Sequence, residues 1–267
     1  EPWQYEFMRN AIAIGILVGI LCPVVGSYLI VQRMALYGDV IAHAVLPGLS
    51  LSFFLGIDIA IGAFISGIMG AGAISWIRSQ SRVKVDAAMA LTFSSFFSVG
   101  IILISVLRNN IDLDSFLFGD ILGTTITDIY RTASVTALIL TVVWLSYKEL
   151  LFYTFDRTGA EAMGLPVKVI HLGFMSAITL TIIASMQAVG VILVISLYFL
   201  VKELHQMMIL GAIIGAFASL SGVYLSFYLK NIPSGPAIVI VSSGLFILAL
   251  LFSPSQGILT QRFRLLS

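Results

Sequence analysis

Asp39 and His43 stand four residues apart in the run Arg33-Met-Ala-Leu-Tyr-Gly-Asp39-Val-Ile-Ala-His43-Ala-Val-Leu-Pro47-Gly48. On a helix, that spacing places a carboxylate and an imidazole one turn apart on the same face. Together they make a half-site for a divalent transition metal, because oxygen and nitrogen donors suit Mn2+, Fe2+ or Zn2+ better than thiolate-seeking Cu+. Pro47 adds to the pattern. It has no N–H to give to the carbonyl of His43, which leaves that oxygen able to face a cavity, a water or an ion. The same spacing also has a plainer use. Gly38-Asp39 could open a helix, with the carboxylate at the positive end of its dipole, and His43 could be a buried imidazole bonded to a backbone carbonyl.

The composition says what kind of element must carry these two residues. The chain of 267 residues holds 14 Lys+Arg and 13 Asp+Glu and is 10% charged, against roughly 25% in a soluble domain. With 59% hydrophobic residues and a mean hydropathy of +1.07, it is not a water-soluble globule. Cys22 is the only cysteine and the net charge is +1, which excludes a disulfide scaffold and an electrostatic nucleic-acid binder. The apolar runs are long and lack the strict alternation of a membrane barrel, so they fit helices crossing a hydrocarbon core roughly 30 Å thick. The expected fold is all-α: a polytopic helical membrane protein with 8 to 9 transmembrane helices.

Charges are costly at mid-bilayer and collect at helix ends, so they mark the spans. The expected spans are 11–31, 40–55, 59–77, 87–107, 129–145, 167–184, 189–201, 207–229 and 236–252. Placing Arg78, Arg82 and Lys84 inside puts ten of the 14 basic residues inside and four (Arg9, Arg108, Arg131, Lys230) outside. This predicts an outside N-terminus and an inside C-terminus. Residues 1–10, with Trp3 and Tyr5, are expected as an interfacial segment. There is no internal repeat or long linker, so residues 1–267 are expected as one transmembrane domain embedded in lipid. Small-residue patterns such as Gly211-x-x-x-Gly215 and Ala71-Gly72-Ala73 suit close helix packing. The run 189–201 is too short to cross the core, at about 20 Å of helix. It is either a broken or re-entrant helix, or a span that lacks residues.

A second segment, Asp156 to Pro166, is polar and falls on the inside face. Taken alone it could be an ordinary amphipathic loop. His171 beside Lys168, and His205 beside Lys202 and Glu203, are expected at membrane interfaces in structural roles. Met207, Met208 and Cys22 are expected as packing residues, and Pro236 fits the first turn of the last span.

The block Arg33 to Gly48 resembles the signature of the metal-ion permeases of ATP-binding cassette importers. The likeness extends over nearly the whole chain through Phe118-Gly119-Asp120-Ile121-Leu122, Asp156 to Pro166, Gln187-Ala-Val-Gly190-Val-Ile-Leu-Val and Ile232-Pro233-Ser-Gly235-Pro236. What the resemblance implies is a permease that imports manganese, with zinc and iron(II) next, by alternating access. It implies that Asp39 and His43 meet the ion, with Gly38, Pro47 and Gly48 shaping the pathway. It also implies that Asp156, Ala160, Glu161, Ala162 and Gly164 form a coupling helix docked on an ATPase. The implied partners are a cytoplasmic ATP-binding subunit, an extracytoplasmic metal-binding protein and a second copy in a homodimer. The location would be the plasma (inner) membrane of a prokaryote, with no permanently bound cofactor. The family pattern carries a Thr-Pro-Ala-Ala-like or Pro-Gly-Ala-Thr-like turn after Val194, whereas here Ser196-Leu197 runs directly into Tyr198. About eight further residues there would restore a full span.

The sequence contains no Gly-x-x-x-x-Gly-Lys-Ser/Thr loop, so the chain cannot cradle ATP phosphates itself. It also lacks His-Glu-x-x-His and Gly-x-Ser-x-Gly, which argues against an intramembrane enzyme. A proton- or sodium-coupled carrier is the competing expectation, and the polar Asp156 to Pro166 segment argues against it.

Overall fold

The structure is a computed structural model that describes residues 5–34, 36–81, 83–107, 124–185, 204–228 and 234–252. Every regular element among them is an α-helix: α1 (Glu6–Val31), α2 (Tyr37–Ala44), α3 (Leu46–Leu55), α4 (Ile59–Gln80), α5 (Val85–Val106), α6 (Ile126–Leu145), α7 (Tyr147–Phe155), α8 (Arg157–Ala162), α9 (Val167–Ser185), α10 (Leu204–Tyr228) and α11 (Ser234–Phe252).

With α2 and α3 taken together as Tyr37–Leu55, seven helices among the described residues are long and apolar enough to cross a membrane. They match seven of the expected spans, and the expected span 236–252 falls on α11. The short span 189–201, the Leu197–Tyr198 junction and the Phe118–Leu122 and Gln187–Val194 motifs lie outside the described residues. Residues 6–10 were expected in an interfacial segment. They form the first turns of α1, and Met8 is fully buried.

The helices gather into two compact units. One contains α1, α6, α10 and α11; the other contains α2 to α5, α7, α8 and nearly all of α9. Each is built from stretches far apart in sequence, so no single boundary in the chain separates them.

In the first unit, Met8, Ile12, Ile14 and Val18 of α1 pack with Val223 of α10 and Ile238 of α11. Pro23 lies inside α1 and has no N–H for the carbonyl of Gly19. That oxygen faces Gly215 of α10, where any side chain would collide with it. Gly215, the second glycine of the Gly211-x-x-x-Gly215 pattern, therefore does bring two backbones together. The start of α6 is held by Asp128, whose carboxylate accepts from both the N–H (2.9 Å) and the hydroxyl (2.6 Å) of Thr125.

In the second unit, α2 and α3 lie against a row of small residues on α4. Gly48 and Gly62 touch backbone to backbone, a Cβ on Gly70 would meet Ala44, and the Ser66 hydroxyl donates to the Ala44 carbonyl at 2.6 Å. The joint between α2 and α3 falls at Val45, which keeps right-handed dihedrals (φ −76, ψ −18), and Pro47 sits in the first turn of α3. The ladder loses the bond that Pro47 cannot donate, while Leu49 still donates to Val45 (3.0 Å), so the backbone continues helically through the joint. Large apolar side chains such as Phe54, Ile61, Met69, Trp76 and Trp144 stand exposed on the outer surface. That is the arrangement a chain adopts when lipid, not water, is its solvent.

Candidate metal site and docking segment

Helix α2 carries both predicted donors on one face. His43 Nε2 stands 3.6 Å from Asp39 Oδ1, with the imidazole side chain 23% exposed and the carboxylate 69% exposed. Two ligands held about 2.1 Å from one metal ion lie roughly 3.0–3.4 Å apart in octahedral or tetrahedral arrangements, so the gap needs only a slight closure. The Asp39 carboxylate does not cap its own helix, because the N-cap position is Leu36 and accepts no side-chain bond. Nor is the imidazole satisfied by a backbone carbonyl: its buried Nδ1 has no hydrogen-bond partner among the described residues.

The ring is held by shape instead. Phe93 and Phe97 of α5, one turn apart, stack with their planes 7° from parallel and centroids 5.8 Å apart. The imidazole meets them nearly at right angles, at 4.8 and 5.2 Å. Edge-to-face contacts of this kind fix a ring's orientation as well as bury it. Neither phenylalanine was singled out in the sequence, because a pair at i and i+4 in a span looks like any other packing pair.

Gly38 is buried, Pro47 makes the joint and Gly48 permits the close approach to α4. Pro47 and Gly48 therefore shape the backbone that follows His43, while Gly38 is buried beside Asp39. Just before them, the Tyr37 hydroxyl donates to Met175 Sδ of α9 at 2.8 Å. Among the described residues, no three of His, Cys, Asp and Glu gather as a metal cluster. Asp39 and His43 are the two candidate donors that stand together here, and the exposed Asp39 carboxylate leaves that face of α2 open.

The segment expected to dock on an ATPase, Asp156 to Pro166, is a helix–turn unit. Asp156 caps α8, its Oδ1 accepting from the Gly159 N–H at 2.8 Å. At the other end, Gly164 takes the left-handed conformation (φ +80). Its N–H reaches the Glu161 carbonyl at 3.0 Å while that of Leu165 reaches Ala160 at 3.1 Å, the paired bonds of a Schellman stop. Ala160 is buried against Tyr153 and Val167, so its part is to seat the helix. Glu161, Ala162 and Gly164 are exposed.

Behind this segment the structure shows what the sequence did not. His171, expected as an interfacial residue, uses both ring nitrogens: Nδ1 lies 2.6 Å from the Tyr153 hydroxyl and Nε2 lies 3.0 Å from the Ser75 hydroxyl. Burial pushes the Tyr153 phenol above its ordinary value, and the nearby Arg157 and Arg78 cations pull it partly back. The phenol therefore keeps its proton at neutral pH. His205 lies edge-on to Tyr147 at 6.3 Å.

Seven apolar helices long enough to cross a membrane, a carboxylate–imidazole pair on α2 and an exposed, capped α8 are the features of a multi-pass membrane protein. The chain belongs to the ABC 3 transport family, whose profile matches residues 4–253. It is 39% identical over 269 residues to the manganese transport system membrane protein MntC of Listeria monocytogenes, covering 98% of this chain and 96% of that one. It is 38% identical to the chelated iron transport system membrane protein YfeD of Yersinia pestis, covering 95% and 88%. Among solved structures, PsaBC from Streptococcus pneumoniae in complex with Fab superposes with a TM-score of 0.87 at 36% identity, covering 99% of this chain and 97% of the other.

Proposed function

We propose that this chain is the permease subunit of an ATP-driven importer that carries a divalent transition metal, Mn2+ first and Zn2+ or Fe2+ next, into a prokaryotic cell across its inner membrane. The observation that carries the proposal is the Asp39–His43 pair at 3.6 Å on one face of α2. Its oxygen and nitrogen donors suit these ions, and family membership gives it a transport context. The manganese and iron named for the relatives fit the same donor set.

An extracytoplasmic metal-binding protein hands over the ion. Asp39 and His43 hold it transiently, with modest affinity, because a carrier that binds too tightly cannot release. A separate ATPase docks on Asp156 to Gly164 and rocks the helices. The chain works as a homodimer of eight to nine spans per copy, so that a second Asp39–His43 pair across a two-fold axis completes the ligand set that one copy lacks.

The test is Mn2+ uptake into proteoliposomes holding the permease with its ATPase and binding protein. Asp39→Ala and His43→Ala are each expected to abolish uptake while the ATPase still co-purifies. Uptake at the wild-type rate in both variants would overturn the site.

A further inference from the structure

The cluster around His171 lies outside the metal site and outside the exposed docking surface, yet it touches the supports of both. We propose that His171 is a positioning residue for transport, which ties the docking segment to the ion-bearing helix through Tyr153 on one side and Ser75 on the other. The proposal rests on the importer function above and deepens it.

The connections run through one compact unit. Ala160 of α8 packs on Tyr153 of α7, and the Arg157 guanidinium, at the first position of α8, lies 5.9 Å from the centre of the same phenol ring. The Tyr153 hydroxyl meets His171 Nδ1 at 2.6 Å, and Nε2 meets Ser75 Oγ of α4 at 3.0 Å. A neutral imidazole has one N–H and one bare nitrogen, while each hydroxyl can give or take. Both contacts are therefore satisfied with either nitrogen protonated. One turn further along α9, Met175 accepts from Tyr37 of α2, two residues before Asp39. Helix α4, which carries Ser75, also holds α2 through the Ser66 bond to Ala44.

The chemistry of the joint is what makes it more than packing. An apolar side chain at position 171 would fill the space without the desolvation cost of an imidazole in a membrane helix. Apolar contacts let helices slide, whereas two directional hydrogen bonds on opposite edges of one rigid ring fix the mutual rotation of α4, α7 and α9. A tilt of α8 is thereby delivered to the neighbours of α2 instead of being absorbed locally. Physical continuity alone does not establish coupling, so the test reads coupling itself.

The measurement is metal ions moved per ATP hydrolysed, in proteoliposomes holding the full permease–ATPase complex and supplied with Mn2+ and the binding protein. For His171→Phe the complex is expected to assemble and hydrolyse ATP, while the ratio falls roughly ten- to hundredfold, the effect on a two-state equilibrium of losing both hydrogen bonds of the ring. Tyr153→Phe, which removes one oxygen, is expected to lower the ratio in the same direction. The double variant is expected to be no worse than His171→Phe, because residues in one chain of contacts do not add. His171→Gln, which can still reach Ser75, is expected to recover part of the loss. If His171→Phe does not assemble, Tyr153→Phe alone decides. An unchanged ratio in Tyr153→Phe, or losses that multiply in the double variant, would overturn the link. A wild-type complex that moves none of Mn2+, Zn2+ and Fe2+ overturns the importer function and the link with it. Intact wild-type coupling with unchanged variants overturns the link alone.

Discussion

At the scale of single residues, the meeting of Asp39 and His43 on one face of α2 was legible because i, i+4 spacing on a helix sets side chains one turn apart. What holds the imidazole was not legible. Phe93 and Phe97 lie some fifty residues along the chain, and only the packing of α5 on α2 brings them to the ring. A metal-binding histidine commonly has its other nitrogen fixed by a hydrogen bond; here Nδ1 has no such partner among the described residues, and the aromatic pair takes over the task of orienting the ring. Phe93→Leu and Phe97→Leu keep most of the volume but lose the edge-to-face geometry, worth about 0.5–1.5 kcal/mol per contact. Each is expected to raise the half-saturating Mn2+ concentration by roughly two- to tenfold with little change in maximal uptake. Half-saturation at the wild-type concentration in both variants would show that the ring needs no such clamp.

Among the elements, helix ends and joints were the easier part to anticipate. Pro47 announced a break in the ladder, and the structure places it at Val45; Asp156 and Gly164 flanked a short polar run and became the cap and stop of α8. The part played by Ala160 could not be read, since a small residue in a six-residue helix serves equally well outside or inside. It is the buried foot of that helix. Both ends of α8 can be tested while Glu161 and Ala162, exposed on the helix itself, stay as they are. Gly164 sits at φ +80, where an L-residue costs about 1–2 kcal/mol. Gly164→Ala should therefore lower the thermal unfolding midpoint of the purified permease and weaken capture of its ATPase. Asp156→Ala removes the cap bond to Gly159 and should cost about 1 kcal/mol in the same assay. Gly72→Ala is the control, because nothing lies within 4 Å of a Cβ there, and it should leave the midpoint unchanged or slightly raised. Equal shifts in all three would mean that the α8 ends have no special role.

For the molecule as a whole, the low charge count settled the solvent, and the positions of the few charges supplied an orientation. Composition could not supply the assembly into two units from interleaved stretches, because that depends on which small residues meet, as at Gly19 with Gly215 and Gly48 with Gly62. The orientation carries the most weight, since the docking segment can meet a cytoplasmic ATPase only if it is inside. Ten basic residues against four favour that side, and the positive-inside bias acts through short loops such as these. In a Cys22→Ser background, which removes the sole cysteine, single cysteines can be placed at Ile57 between α3 and α4, at Ser81 after α4 and at Met163 after α8, all exposed. Ile57→Cys is expected to react with a membrane-impermeant maleimide added to intact cells. Ser81→Cys and Met163→Cys are expected to react only after permeabilisation, because one crossing of α4 separates position 57 from 81 and two further crossings, α5 and α6, return the chain to the same side before α8. The reverse pattern, with Met163→Cys labelled from outside, would place α8 where no ATPase could reach it and would remove the mechanical basis of ATP-driven import by this chain.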